Sequence, residues 1–326
     1  MPSPNATFTE MISSTLRDHP KDVADAVSNH NALLRRLLKK GKHRVSDGGY
    51  EIVCPLEWDE NNTFLWYSGL ENLNIGESDV LSASKYDWKQ ASAHVISSGL
   101  QLRQNAGRNQ LINLAKVKLT NAIRTMKNNL SIGVYSDGLG TGGKQLTGLQ
   151  AQVSDAGTGT VGGIDSGTVT MWRNIVQSAA APLQGGGAIT PSKSTIKALM
   201  NSLELAGRRG GDAFDLWIMD DTYFTFLWES LQDLQRYASA DEAEAGFNVL
   251  KFRGADVIYE SGASGMPDAH AYALTTDYLE LVVHEDANLT ELGEKHSVNQ
   301  DGVVIPIIWQ GNLCTSNRAR QGVLKA

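Results

Sequence analysis

The stretch of this sequence that comes nearest to a chemical site is Gly138-Leu-Gly-Thr-Gly-Gly143-Lys144-Gln145, which follows the spacing of a phosphate-binding loop until its last position. Such a loop needs a strand before it, a hydroxyl residue after the lysine to reach magnesium, and a helix whose first amides meet the phosphates. Here Gln145 stands where the hydroxyl belongs, a long helical pattern precedes the glycines, and Gly148 weakens any helix after them. Asp220 and Asp221 follow the apolar run FDLWIM, a place where carboxylates often hold metals. They also stand directly before Thr222 and an amphipathic pattern, where Asp is the expected helix cap, and capping is the preferred reading. His284-Glu285-Asp286 lies in a strand pattern, so neighbouring side chains point to opposite faces and do not converge. The seven histidines include no pair at helical ligand spacing, and no Gly-x-Ser-x-Gly elbow is present. Neither an enzyme nor a bound cofactor or metal is expected.

A length of 326 residues suffices for one elaborated domain or two modest ones. The formal net charge of −7 argues against a protein whose main task is to grip phosphates. One segment departs from that balance: Arg35, Arg36, Lys39, Lys40, Lys42 and Arg44 put six positive charges into ten residues. These are either the favourable cationic end of a helix closing at Gly41 or a patch for an acidic partner, such as nucleic acid or an assembly factor. Cys54 and Cys314 lack the paired spacing of a zinc site or a secreted disulfide framework, and read as buried apolar residues in a reducing cytoplasm. No apolar run reaches the ~18 residues needed to span a bilayer, and the polar start MPSPNATFTE is not that of a signal peptide.

The elements follow from periodicity. Residues 8–40 carry a helical apolar spacing interrupted near Pro20, which predicts an amphipathic arm of one or two helices. From Tyr50 the period becomes that of strands, in YEIVCPLEW, TFLWY and VLSASKYDWKQASAHVISSG, predicting a long antiparallel loop. Trp58, Phe64, Trp66, Tyr67, Tyr86 and Trp88 all fall within it. A two-stranded ribbon is marginal alone in water, so these rings need another surface, either their own domain or another subunit. A helix from about 107 to 134 is marked by Leu111, Ala115, Leu119, Ala122, Met126 and Leu130, with Ile112 and Ile123 widening the stripe. The middle is rich in glycine and turns. Pro191 and Ser192 are expected to open a helix, AFDLWIMDD to form a buried strand, and the last part to be strands. Strands, a long helix, mixed elements and strands again indicate an α+β fold.

Several stretches together, in order, resemble the major capsid proteins of tailed bacteriophages, a fold shared with encapsulins. They include FLWYSGLENL, YDWKQASAHVISSGLQLRQNAGRNQLINL, LSIGVYSDG, LTGLQAQV, GTVGGID with Trp172-Arg173-Asn174, DDTYFTFL, GFNVLKFRGADV and VIPIIWQGNLCTSN. The resemblance runs from about residue 45 to 324 and rests on collinearity, since none of these is a catalytic signature. It implies an N-terminal arm (1–45), an extended two-stranded loop (46–98), and a peripheral domain with a spine helix (99–139). An axial domain (140–271), peripheral strands (272–309) and a tail returning to the axial domain (310–326) complete it. It further implies a virion shell protein, assembled in the host cytoplasm into pentamers and hexamers around double-stranded DNA that it contacts weakly and without sequence preference. The implied partners are further copies of the chain, a separate scaffolding protein, a portal protein and a decoration protein; an encapsulin-like compartment is the alternative. Lys85 and Lys89 lie on the expected loop, with no covalent crosslink expected of them.

Overall fold

The computed structural model describes residues 31–57, 61, 63–76, 80–99, 108–235, 250–293, 295–296 and 301–326, with backbone alone for 108–116 and 232–235. After a short helix α1 (Ala32–Lys39) come strands β1 (His43–Ser46), β2 (Ile52–Glu57), β3 (Leu81–Tyr86) and β4 (Lys89–Ser98), then the long helix α2 (Arg108–Tyr135). The glycine-rich middle contains the small hairpin β5 (Thr160–Val161) and β6 (Ile164–Asp165), then β7 (Ile175–Ser178), α3 (Ile196–Gly207), β8 (Leu216–Met219) and α4 (Asp221–Gln235). Strands β9 (Leu250–Phe252), β10 (Ala255–Tyr259), β11 (His270–Leu274), β12 (Leu279–Glu291), β13 (Lys295–His296), β14 (Gly302–Thr315) and β15 (Gly322–Lys325) complete the chain.

Two sheets organise these elements. One has the order β7-β15-β11-β8-β10-β9, mixing parallel and antiparallel pairs. Its strands read as near-continuous apolar runs because both faces are covered. Leu216, Ile218, Tyr272, Leu274 and Val323 face the core that includes α2, while Trp217, Met219, Ala271, Ala273 and Leu324 face α3 and α4. This is the two-residue alternation of a strand, with apolar residues at both phases. In the second sheet β14 is central, pairing with β12 along one edge and with β4 along the other, while β1 adds in parallel to β12. Gly311 is required there: a Cβ would lie 2.5 Å from Val282 O and 2.8 Å from the Trp309 ring. Helix α2, 28 residues and so about 42 Å long, packs on β4. Among its described side chains Leu119, Ala122, Met126 and Leu130 are buried, as their spacing predicts, and Ile123 packs beside them. Leu111, Ile112 and Ala115 have no described side chains.

The end of the N-terminal arm is an amphipathic helix closed by Gly41, as its spacing predicts: Leu33, Leu34 and Leu37 of α1 are buried in the main core, and the β1 strand that follows joins a sheet. Four expectations need correction. The two-stranded ribbon is β2 with β3 alone, because β4 is held by β14 over ten paired positions. TFLWY forms no strand; Asn61 Oδ1 accepts from the Thr63 amide at 3.0 Å and turns the chain there. Helix α3 starts at Ile196, because the Thr195 hydroxyl accepts from the Ser192 amide at 2.9 Å and holds a separate turn before it. Strand β11 likewise belongs wholly to the six-stranded sheet, so the segment after residue 271 first completes that sheet and joins the other only at Leu279.

Candidate assembly surfaces

The expected chemical sites resolve into structural roles. The Gly138–Gln145 segment follows the last turn of α2 rather than a strand, and leads to a four-residue helical turn at Leu149–Gln152. That is not the strand, loop and helix a phosphate cradle requires. Asp220 is the helix cap: Oδ1 accepts from the Tyr223 amide at 3.0 Å, and Oδ2 accepts from the Ala269 amide at 2.8 Å. His284 and Asp286 sit where the β12 register shifts, with the Asp286 amide donating to His284 Nδ1 at 3.1 Å. Among the described residues no cluster of His, Cys, Asp and Glu could hold a metal.

The six aromatic residues of the loop separate into two groups, with Trp58 outside the described residues. Tyr86 is buried at the base of the ribbon, where its hydroxyl accepts from the Thr315 amide and donates to Gln152 Oε1, both at 3.2 Å. It is a correction to the set of expected inter-subunit contacts, because its ring is enclosed by its own chain. Trp88 is half-buried against the same small core; its indole N–H donates to Gly49 O at 2.9 Å and its ring meets that of His284. By contrast, Phe64, Trp66 and Tyr67 project from the connection between β2 and β3, Trp66 being 89% exposed. Phe64 and Trp66 touch edge to face at 5.5 Å. Leu70, Leu73 and Ile75 extend the exposed apolar surface. The turns here are held by neighbours in sequence: Glu71 accepts from the Ser68 amide at 3.2 Å, and Asn74 from the Gly76 amide at 3.1 Å.

The cationic segment has acidic partners within the chain. Arg36 bonds Asp256 at 2.9 Å and approaches Asp215 at 3.5 Å. Lys40 bridges Asp215 at 2.8 Å and Asp277 at 3.1 Å, and Arg44 pairs with Glu280 at 3.3 Å. Burial works to raise the Asp215 pKa, but hydrogen bonds from Lys40 and Thr276 hold it below its ordinary value. These pairs fasten α1 and β1 to both sheets. Arg35, Lys39 and Arg44 stand exposed and Lys42 half-exposed. Lys85 approaches Glu51 at 3.7 Å, and Lys89 donates to Gly143 O at 2.7 Å.

Sequence reading missed Arg318. It is fully buried, donating through Nε to Gln152 O at 2.7 Å and through Nη1 to Ser166 Oγ at 3.0 Å and Gly159 O at 3.3 Å. Burial draws its pKa down to about 10. Gln152 in turn donates to Leu313 O at 2.8 Å, so one polar network joins the ribbon base, the glycine-rich middle and the end of β14. His270 and Asp155 form a further clasp at 3.0 Å between β11 and that middle segment.

No protein-family model and no curated protein matches the sequence. Solved structures do match. Over 87% of this chain and 90% of the other, it superposes on a chain of the cyanophage A-1(L) capsid with a TM-score of 0.62 at 12% identity. A chain from the capsid of an empty GTA particle matches with 0.52 at 13% identity, covering 88% of each. One from the capsid of Myoviridae phage XM1 matches with 0.51 at 11% identity, over 89% and 91%. This chain has the phage major capsid fold. Within the capsid fold, the exposed rings lie at the tip of the β2–β3 ribbon, and the buried Tyr86, Gln152 and Arg318 anchor its base.

Proposed function

We propose that copies of this chain assemble into pentamers and hexamers that form an icosahedral head around double-stranded DNA. The observation that carries this reading is the cluster of exposed rings and aliphatic side chains between Thr63 and Gly76, presented on a ribbon whose base is fixed. Large apolar side chains gain about 1.5–3 kcal/mol each on full burial. Six of them together at one tip favour a second surface, and the cost of association is set against that gain. A second copy of the chain supplies the surface most economically, because heterologous contacts that close into rings bury the same tip on every subunit. Turns rich in glycine in the middle segment suit the small differences in angle between five- and six-fold positions.

A net charge of −7 fits an inner wall that contacts packaged DNA only weakly. A separate scaffolding protein, a portal protein and a decoration protein are the further partners of this role, with assembly in the host cytoplasm. Sedimentation velocity and negative-stain microscopy of the purified chain, alone and co-expressed with a scaffolding protein, provide the test. Rings or closed shells are expected; a chain that stays monomeric at high concentration under both conditions would falsify the proposal.

A further inference from the structure

Cys54 and Cys314 are near opposite ends of the sequence, yet the fold buries them in one small core with Ile52, Tyr86, Val161 and Val282. Cys54 lies on β2 opposite Ser84, and the Ser84 hydroxyl donates to Thr315 O at 3.0 Å, one residue beyond Cys314 on β14. The Cys314 thiol contacts Asn312 O at 3.9 Å, and each of the two thiols shifts the ionisation of the other. Arg44 Nη2 stands 3.8 Å from Cys54 Sγ, which places a cation beside that sulfur. We propose that Cys54 and Cys314 are a dithiol site that closes to an intrachain disulfide when the protein meets a small-molecule disulfide, stapling the ribbon base to the central strand β14.

The order of steps follows from the surroundings. The neighbouring Cys314 thiol lowers the Cys54 pKa, and Arg44 acts in the same direction while burial opposes both; the neighbouring Cys54 thiol and burial push Cys314 well up. Cys54 is therefore the attacking thiolate. It attacks one sulfur of oxidised glutathione, forming a mixed disulfide and releasing one glutathione thiolate. Cys314 then gives up its proton, attacks Cys54 Sγ, and expels the second glutathione thiolate. Two protein thiols are oxidised and one glutathione disulfide is reduced to two thiols. Cys314 has no exposed surface and Cys54 almost none, so closure is paced by opening of the ribbon base. The staple concerns a contact within one subunit and is independent of whether shells form.

The experiment is treatment of the native full-length chain with oxidised glutathione, then denaturation, alkylation and intact-mass and peptide mass spectrometry. The expected result is loss of both alkylatable thiols, a mass lower by two hydrogens, and a linked peptide pair containing Cys54 and Cys314 in a chain that still migrates as a monomer. The C314S variant should instead keep glutathione on Cys54, and C314A gives the same readout should serine disturb the core. Two free thiols in the treated wild type, a lasting glutathione adduct on Cys54 beside free Cys314, or a link between two chains would each overturn the assignment.

Discussion

Trp217 on β8 has no exposed surface, whereas Trp66 between β2 and β3 is 89% exposed. Both are surrounded by apolar sequence, in FDLWIM and TFLWY. Trp217 sits edge-on to Phe214 at 6.0 Å and to Phe252 at 5.8 Å, inside a sheet covered on both faces. Trp66 has the ring of Phe64 beside it and a tip otherwise held by local turns. The contrast separates burial completed within a subunit from burial reserved for another surface. It also predicts that damage at the two places will be felt by different measurements.

The largest effect should come from replacing residues 63–76 with a short Gly-Ser linker. Shells or rings should be lost altogether, while the thermal midpoint of the isolated subunit stays within a few degrees. Shells from the shortened chain would erase the distinction between the two regions. Trp217→Ala should act in the opposite way, destabilising the subunit by about 3–5 kcal/mol through the cavity left behind, read as a lower denaturant midpoint. Arg318→Met should cost about 2–4 kcal/mol, since it strands the buried acceptors on Gln152, Gly159 and Ser166 while keeping most of the side-chain volume. Hydrogen exchange should show that loss first in residues 152–166.

A smaller and reversible effect should follow from the His270–Asp155 clasp. The hydrogen bond to Asp155 raises the His270 pKa above 6.5, and Asp220 acts in the same sense. Its contribution is then fully present below 6.5 and is lost as pH rises through the raised value. Asp155 is lowered by the same bond, with Lys325 assisting against burial, so its contribution is present above 3.8 and is lost as pH falls through the lowered value. Exchange in residues 153–158, corrected for its intrinsic pH dependence, should quicken above the His270 value in the wild type and change little there in His270→Gln. Identical profiles would remove the clasp from the account.

Much of the core was legible in the sequence. The stripe on α2 and the apolar runs of β8 and β11 had the periods their burial requires, and Asp220 preceded its helix as a cap should. The aromatic set was harder to divide. Tyr86 shares the buried face of β3 with Ser84, and serines on that face masked its inward direction, while TFLWY forms no strand at all. The cationic run pointed equally to a foreign acid or to a helix end, and only tertiary contact brought Asp215, Asp256 and Glu280 to it. Arg318 left little trace because its partners include backbone carbonyls, which any sequence supplies. The nearness of Cys54 and Cys314 depends on how the ribbon base meets β14, a contact between distant segments that no local spacing encodes.

Oxidative footprinting of Trp66 and Tyr67 tests the central claim most directly, comparing free subunits with assembled particles and using Trp217 as the buried control. The account predicts rapid modification of both residues in the free subunit, strong protection in the particle, and a slow, unchanged rate at Trp217. Equal reactivity of Trp66 and Tyr67 in the two states would contradict it, because the tip of the ribbon would then be open in the finished assembly.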